Sequence, residues 1–152
     1  MAEIKDLQLQ HRILLVEDDA GTREMFSYVL REAGLDVVEA TDGLSALDAM
    51  DDVTPDLVIT DIAMPRMDGV ELTQALRRRA STELVPIIAV TGEPAVFGRA
   101  RAAGCTAIVS KPYAAADLLA LVQQFLGRQH EDRRIAAPEW TGADRRAQLR
   151  PV

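Results

Sequence analysis

From residue 11 onward, short aliphatic runs alternate with stretches whose apolar residues recur at helical spacing. The runs fall at residues 13–16, 37–38, 57–59, 87–90 and 107–109. Four of them are near-continuous in Val, Ile, Leu and Ala, as a strand buried on both faces requires. The run at 37–38 is flanked by Asp36 and Glu39 and reads as an edge strand.

The intervening segments predict five helices. In the first, Met25, Phe26, Val29 and Leu30 share a face, Arg31 sits in the last turn where the helix dipole favours a cation, and Gly34 stops it. The second begins near Asp42 and aligns Leu44, Leu47 and Met50, ending before Pro55. The third runs from Asp68 through Val70, Leu72, Ala75 and Leu76 to Arg77-Arg78-Arg79. Three cations at a helix C-terminus are explained by its dipole rather than by nucleic acid. The fourth, 94–103, opens on Pro94, contains Gly98 and has little beyond Val96 and Phe97 to bury, so it is expected to be the least stable. The fifth, 114–127, carries a broad stripe of Leu118, Leu119, Leu121, Val122, Phe125 and Leu126 and ends at Gly127. Strict alternation with right-handed crossovers predicts an α/β fold: a doubly wound, flavodoxin-like, five-stranded parallel sheet of order 2-1-3-4-5 with five helices.

A chain of 152 residues fits one domain. The expected organisation is an N-terminal extension at 1–10, the domain at 11–127, and an Arg-rich tail at 128–152, flexible or docking. With aromatics at 4% the core must be aliphatic. No stretch nears the roughly 18 apolar residues of a membrane span, and the first residues lack the apolar centre of a signal peptide, so a cytoplasmic protein without a membrane role is expected. Cys105 stands alone, which excludes an internal disulfide and predicts a small buried residue. His11 and His130 do not stand at metal-ligand spacing in the sequence and are expected to be structural or solvated.

The net charge of −7 argues against nucleic-acid binding. It is unevenly spread: residues 1–127 carry −9 and residues 128–152 carry +2. The tail holds Asp-Arg-Arg twice, at residues 132–134 and 144–146, with Trp140 between them. No DNA-binding or catalytic output domain is expected in this tail.

What stands at the C-terminal strand ends is the informative feature. Glu17-Asp18-Asp19 follow the first run, Thr60-Asp61 the third, Thr91 the fourth, and Ser110-Lys111-Pro112 the fifth. In a doubly wound sheet of this order, ligands bind where the strand order reverses, between the first and third strands. Glu17, Asp18 and Asp61 therefore converge, and three carboxylates in one cleft need a cation or a proton. Hard oxygen donors suit Mg²⁺. Lys111 adds an ammonium and Thr91 a hydroxyl, a set suited to stabilising a phosphoryl group on Asp61. Each residue alone has a structural explanation, such as an N-cap, but their joint placement at four strand ends points to one site.

At these residues the chain resembles the receiver domain of two-component response regulators, including the single-domain chemotaxis regulator. The resemblance covers 11–127 and rests on Ile13-Leu14-Leu15-Val16-Glu17-Asp18-Asp19, the stretch from Pro55 through Asp61 and Met64-Pro65 to Asp68-Gly69, Pro86-Ile87-Ile88-Ala89-Val90-Thr91, Ala103-Gly104-Cys105 and Lys111-Pro112. It implies that Asp61 accepts a phosphoryl group from a histidine kinase or phosphotransfer protein. It implies that Glu17, Asp18, Asp61 and the backbone carbonyl of Ala63 hold Mg²⁺, that Thr91 moves to the phosphoryl oxygen, and that Lys111, before a cis proline, pairs with the phosphate.

The expected output is changed binding to a downstream protein, with homodimerisation compatible with the resemblance. Such a protein is not an enzyme beyond its own phosphorylation and dephosphorylation. Two departures stand out: the family's fifth-strand aromatic is Ile108 here, and the hydrolysis-tuning positions are Ala63 and Glu93. Ala63 cannot position a water, which predicts a persistent phosphoryl group. The alternatives are a phosphorylation-independent scaffold of the same shape and a haloacid-dehalogenase-like phosphatase. The phosphatase needs a second acid where Ala63 stands.

Overall fold

A computed structural model describes residues 10–131 and 149–151. The elements run β1 (Arg12–Val16), α1 (Ala20–Glu32), β2 (Asp36–Ala40), α2 (Gly43–Ala49), β3 (Leu57–Asp61), α3 (Gly69–Arg77), β4 (Ile87–Thr91), α4 (Phe97–Ala103), β5 (Ala107–Ser110) and α5 (Ala115–Glu131), then a short β6 (Leu149–Pro151). A 3₁₀ turn, Pro94–Val96, leads into α4. The first five strands form the expected parallel sheet, β2-β1-β3-β4-β5. A sixth strand, not expected from sequence, pairs antiparallel along the free edge of β5.

The strands form because their residues are apolar on both faces. β3 and β4 are buried at every position. The sheet separates two aliphatic clusters. One gathers Ile13, Leu15, Ile59, Val90 and Val109 under α1 and α5, and the other Leu14, Val16, Val58, Ala89 and Ile108 under α2, α3 and α4. Adjacent strand residues thus face opposite clusters, the period-two rule of a pleated strand.

The helices start where their caps dictate. Asp19 accepts a hydrogen bond from the Thr22 N–H, while Asp42 and Asp68 close capping boxes with Ser45 and Glu71. Gly34, at φ 85°, follows the last turn of α1, and Gly104, at φ 109°, that of α4, both in the left-handed region where glycine is favoured. The 3₁₀ turn has no side-chain cap, and neither does α4, which buries only Ala100 and Ala103.

Three expectations need correction. Met25 is not on the buried face of α1; Phe26, Ser27 and Leu30 are, and Met25 faces outward. Leu44 is also exposed, because the buried face of α2 is made of the small residues Gly43 and Ala46. Gly127 does not end α5, which continues to Glu131. A glycine stops a helix by turning left-handed, and Gly127 keeps an ordinary backbone at a propensity cost of about 1 kcal/mol. The expected N-terminal extension lies almost wholly outside the described residues, as does the tail apart from the end of α5 and β6.

Arg77 does more than answer the helix dipole. Its guanidinium donates to the carbonyls of Thr82, Glu83, Val85 and Gly104 at 2.7–3.1 Å, binding the end of α3 to the loop before β4 and to the turn before β5.

Candidate functional site

The site is built at the C-terminal ends of β1, β3, β4 and β5. Glu17 is the first residue past β1, and its N–H donates to the Ala40 carbonyl at 3.0 Å, which fixes where the acid leaves the sheet. The Arg23 guanidinium donates to the Glu17 carbonyl at 2.8 Å. Asp61 is the last residue of β3, held by the flanking strands β1 and β4. Carboxylate oxygens of Glu17, Asp18 and Asp61 all lie within 4.8 Å of one another, with Glu17 and Asp61 buried and Asp18 exposed. The convergence expected from strand order is therefore present.

From the other side, Lys111 Nζ donates to Asp61 Oδ2 at 3.1 Å. Its backbone N–H donates to the Thr91 carbonyl at 2.9 Å, tying β5 to β4 beside the pocket. The Lys111-Pro112 peptide is cis, as expected. Thr91 is buried at the end of β4, and its hydroxyl oxygen accepts from the Glu93 N–H at 3.1 Å. Ala63 lies in the exposed loop after β3. Ile108 is buried in the cluster under α3 and α4.

The electrostatics follow from crowding. Burial, and next the Asp61 carboxylate, push the Glu17 carboxyl up to about 7 from its ordinary 4.5. Burial pulls the Lys111 ammonium down, but the charge and hydrogen bond of Asp61, with Glu17 and Tyr113, together outweigh it and hold the group above its usual range. Tyr113, edge-on to Phe26, has its hydroxyl pushed up by burial and then by Glu17. The pocket thus holds more negative charge than Lys111 offsets. A cluster of hard oxygen donors, two of them shielded from water, fits a small divalent cation.

Three contributors to this geometry went unread in the sequence. A Cβ on Gly69 would overlap the Asp61 carbonyl oxygen and come within 2.9 Å of Ile62 Cα, so α3 starts hard against the end of β3 only because residue 69 is glycine. Arg66, at φ 64°, is the one non-glycine with positive φ among the described residues, and it reaches Asp42. The Thr60 hydroxyl donates to the Asp61 carbonyl at 2.8 Å. Only Gly69 left a signal, as the glycine directly after the N-cap Asp68.

A family model for the response regulator receiver domain matches residues 13–123. The chain belongs to the response regulator receiver domain family. It is 35% identical over 129 residues to the transcriptional regulatory protein PdtaR of Mycobacterium tuberculosis, covering 83% of this chain and 62% of that protein. The chain spans about three fifths of the length of the curated relatives it matches. Among solved structures, the chemotaxis response regulator CheY4 of Vibrio cholerae aligns with a TM-score of 0.73 and 32% identity, over 77% of this chain and 99% of that one.

The receiver domain of the sensor histidine kinase PA1611 from Pseudomonas aeruginosa, solved with a magnesium ion coordinated in its active site cleft, gives a TM-score of 0.73 and 28% identity over 78% and 99%. Receiver domains are typically not enzymes apart from the chemistry of their own phosphorylation. No helix among the described residues is long and apolar enough to cross a membrane.

Proposed function

We propose that this receiver acts as a stand-alone cytoplasmic response regulator, with Asp61 as its phosphoacceptor. The carrying observation is one buried carboxylate, Asp61, set between two further acids and an ammonium 3.1 Å away. A carboxylate oxygen of Asp61 forms a bond to phosphorus as the N–P bond of a phosphohistidine, on a histidine kinase or phosphotransfer protein, breaks. The electron pair of that bond returns to the imidazole, which takes a proton.

Glu17, Asp18, Asp61 and the Ala63 carbonyl are the groups that would hold Mg²⁺. The ion would supply positive charge to the phosphoryl oxygens in flight. Lys111 stands ready to exchange its bond to Asp61 for one to the new phosphate, a charge-assisted hydrogen bond. Thr91, already oriented by the Glu93 N–H, offers its O–H to a phosphoryl oxygen. Charge at Asp61 then biases the face formed by α4, β5 and α5, and a downstream protein reads the change. The uncapped start of α4 and its thin buried face support a segment that rearranges.

Incubation with acetyl phosphate and Mg²⁺, followed by intact mass measurement, tests the reading. A gain of one phosphoryl group, lost in Asp61→Asn, is expected. No gain in the wild type would leave a phosphorylation-independent scaffold, and equal gain in the variant would move the acceptor elsewhere.

A further inference from the structure

The parallel sheet has two edges, and the sequence protects them differently. β2 carries Asp36 and Glu39, which pair with Arg12 at 2.9 Å and Arg31 at 3.4 Å. Charges of this kind discourage a further strand. β5 is Ala107-Ile108-Val109-Ser110, with neither charge nor proline. The Thr106 N–H donates to the Ile87 carbonyl on the β4 side at 2.7 Å, and strand alternation turns the amides of Ala107 and Val109 the other way, to the open edge. An uncharged edge with outward N–H and C=O groups is a template for another strand.

β6 lies along this edge, with Val109 opposite Leu149, Ile108 opposite Arg150 and Ala107 opposite Pro151. The outermost strand of the sheet is thereby a three-residue one that carries an arginine, and Pro151, whose backbone faces Ala107, has no N–H to add to the pairing.

We propose that the open edge of β5 is a strand-addition site, and that its resting occupant is the C-terminal segment of the same chain, docked in cis through backbone hydrogen bonds. Three considerations favour this occupant. Residues 128–152 carry +2 against −9 for residues 1–127, so the segment is drawn to the domain. Residues 132–148 separate α5 from β6 and span up to about 56 Å when extended, well beyond the length of β5 that the chain must run back along. A pairing of only three residues is weak between molecules but is sustained by the effective concentration, of millimolar order, of a tethered segment.

The tail is in this view a plug that blocks edge-to-edge association. Any partner that adds an extended peptide to β5 must first displace it. The inference stands apart from the chemistry at Asp61.

Amide hydrogen exchange on the full chain, read by NMR, tests it. Leu149→Pro removes the N–H opposite Val109, and Ala147→Pro places the same substitution outside β6. Exchange at Ala107 and Val109 is expected to be about tenfold faster in Leu149→Pro than in the wild type or Ala147→Pro, with Ile88 and Val58 unchanged. Deleting residues 149–152 is expected to give the same rise, so the test does not hang on one variant. Equal rates in wild type, Leu149→Pro and the deletion would overturn the proposal. So would protection that grows with protein concentration alongside a dimer mass in sedimentation, which would seat a second copy on the edge.

Discussion

Arg66 and Asp42 join two loops that the sheet itself does not connect: the guanidinium Nε donates to Asp42 Oδ2 at 2.7 Å, and Nη2 shares that oxygen. Asp42 is buried and caps α2, and the Ser45 N–H and then Arg66 hold its carboxyl below the usual range. Arg66 sits at φ 64° in a three-residue turn closed by the Met67 N–H on the Pro65 carbonyl at 2.8 Å, and Gly43 donates to the Met67 carbonyl at 3.2 Å. The loop fixed this way carries Ala63.

If the Ala63 carbonyl serves the cation, Arg66→Ala and Asp42→Asn weaken Mg²⁺ binding by a similar few-fold factor, and the double variant does no worse than either. Asparagine keeps the cap, so a loss in Asp42→Asn belongs to the ion pair. Calorimetric titration with Mg²⁺ measures all three, and additive losses would show that the pair is not the cause.

Gly69→Ala is expected to destabilise the fold by about 2–3 kcal/mol or more, because the added methyl meets the backbone of Asp61 and Ile62 rather than a yielding side chain. Urea unfolding with an unchanged m-value checks it.

Glu17 makes the metal-free protein pH-sensitive in a specified direction. Its carboxyl charges near 4.5 when unfolded and near 7 when folded, so the native state holds the extra proton between these values. Stability from this group is complete below pH 4.5, falls as pH rises to about 7, and is flat above. Glu17→Gln is expected to flatten the fall between pH 5 and 8 in chemical denaturation without metal. A variant as pH-dependent as the wild type would assign the effect to other groups.

Ala63 leaves a bare methyl beside the expected phosphoryl group. Ala63→Asn restores a polar side chain that can orient water, and phosphate loss measured by intact mass over time is expected to be faster than in the wild type. An unchanged or longer lifetime would contradict the reading of Ala63 as the cause of persistence.

The sheet order and the acid cluster were legible because both follow from short-range pattern. Leu14, Val58, Ile88 and their neighbours are apolar on both faces, and Glu17, Asp61 and Thr91 stand where β1, β3 and β4 end. Helix faces were less legible. Met25 and Leu44 continue an apolar spacing, yet close packing on the sheet selects Ser27, Gly43 and Ala46 instead. β6 could not be read, since Leu149-Arg150-Pro151 has no strand signature and owes its conformation to an edge forty residues earlier in the chain. The roles of Arg66 and Arg77 depend on loop geometry that spacing does not encode.

The grip of Arg77 on the Gly104 carbonyl also decides how α4 can travel. One end of that helix is clipped to two neighbouring segments, while the other emerges from an uncapped turn at Pro94. A displacement of α4 is therefore expected to pivot at Gly104 and to be largest at the Pro94 end, a short step along the chain from Thr91.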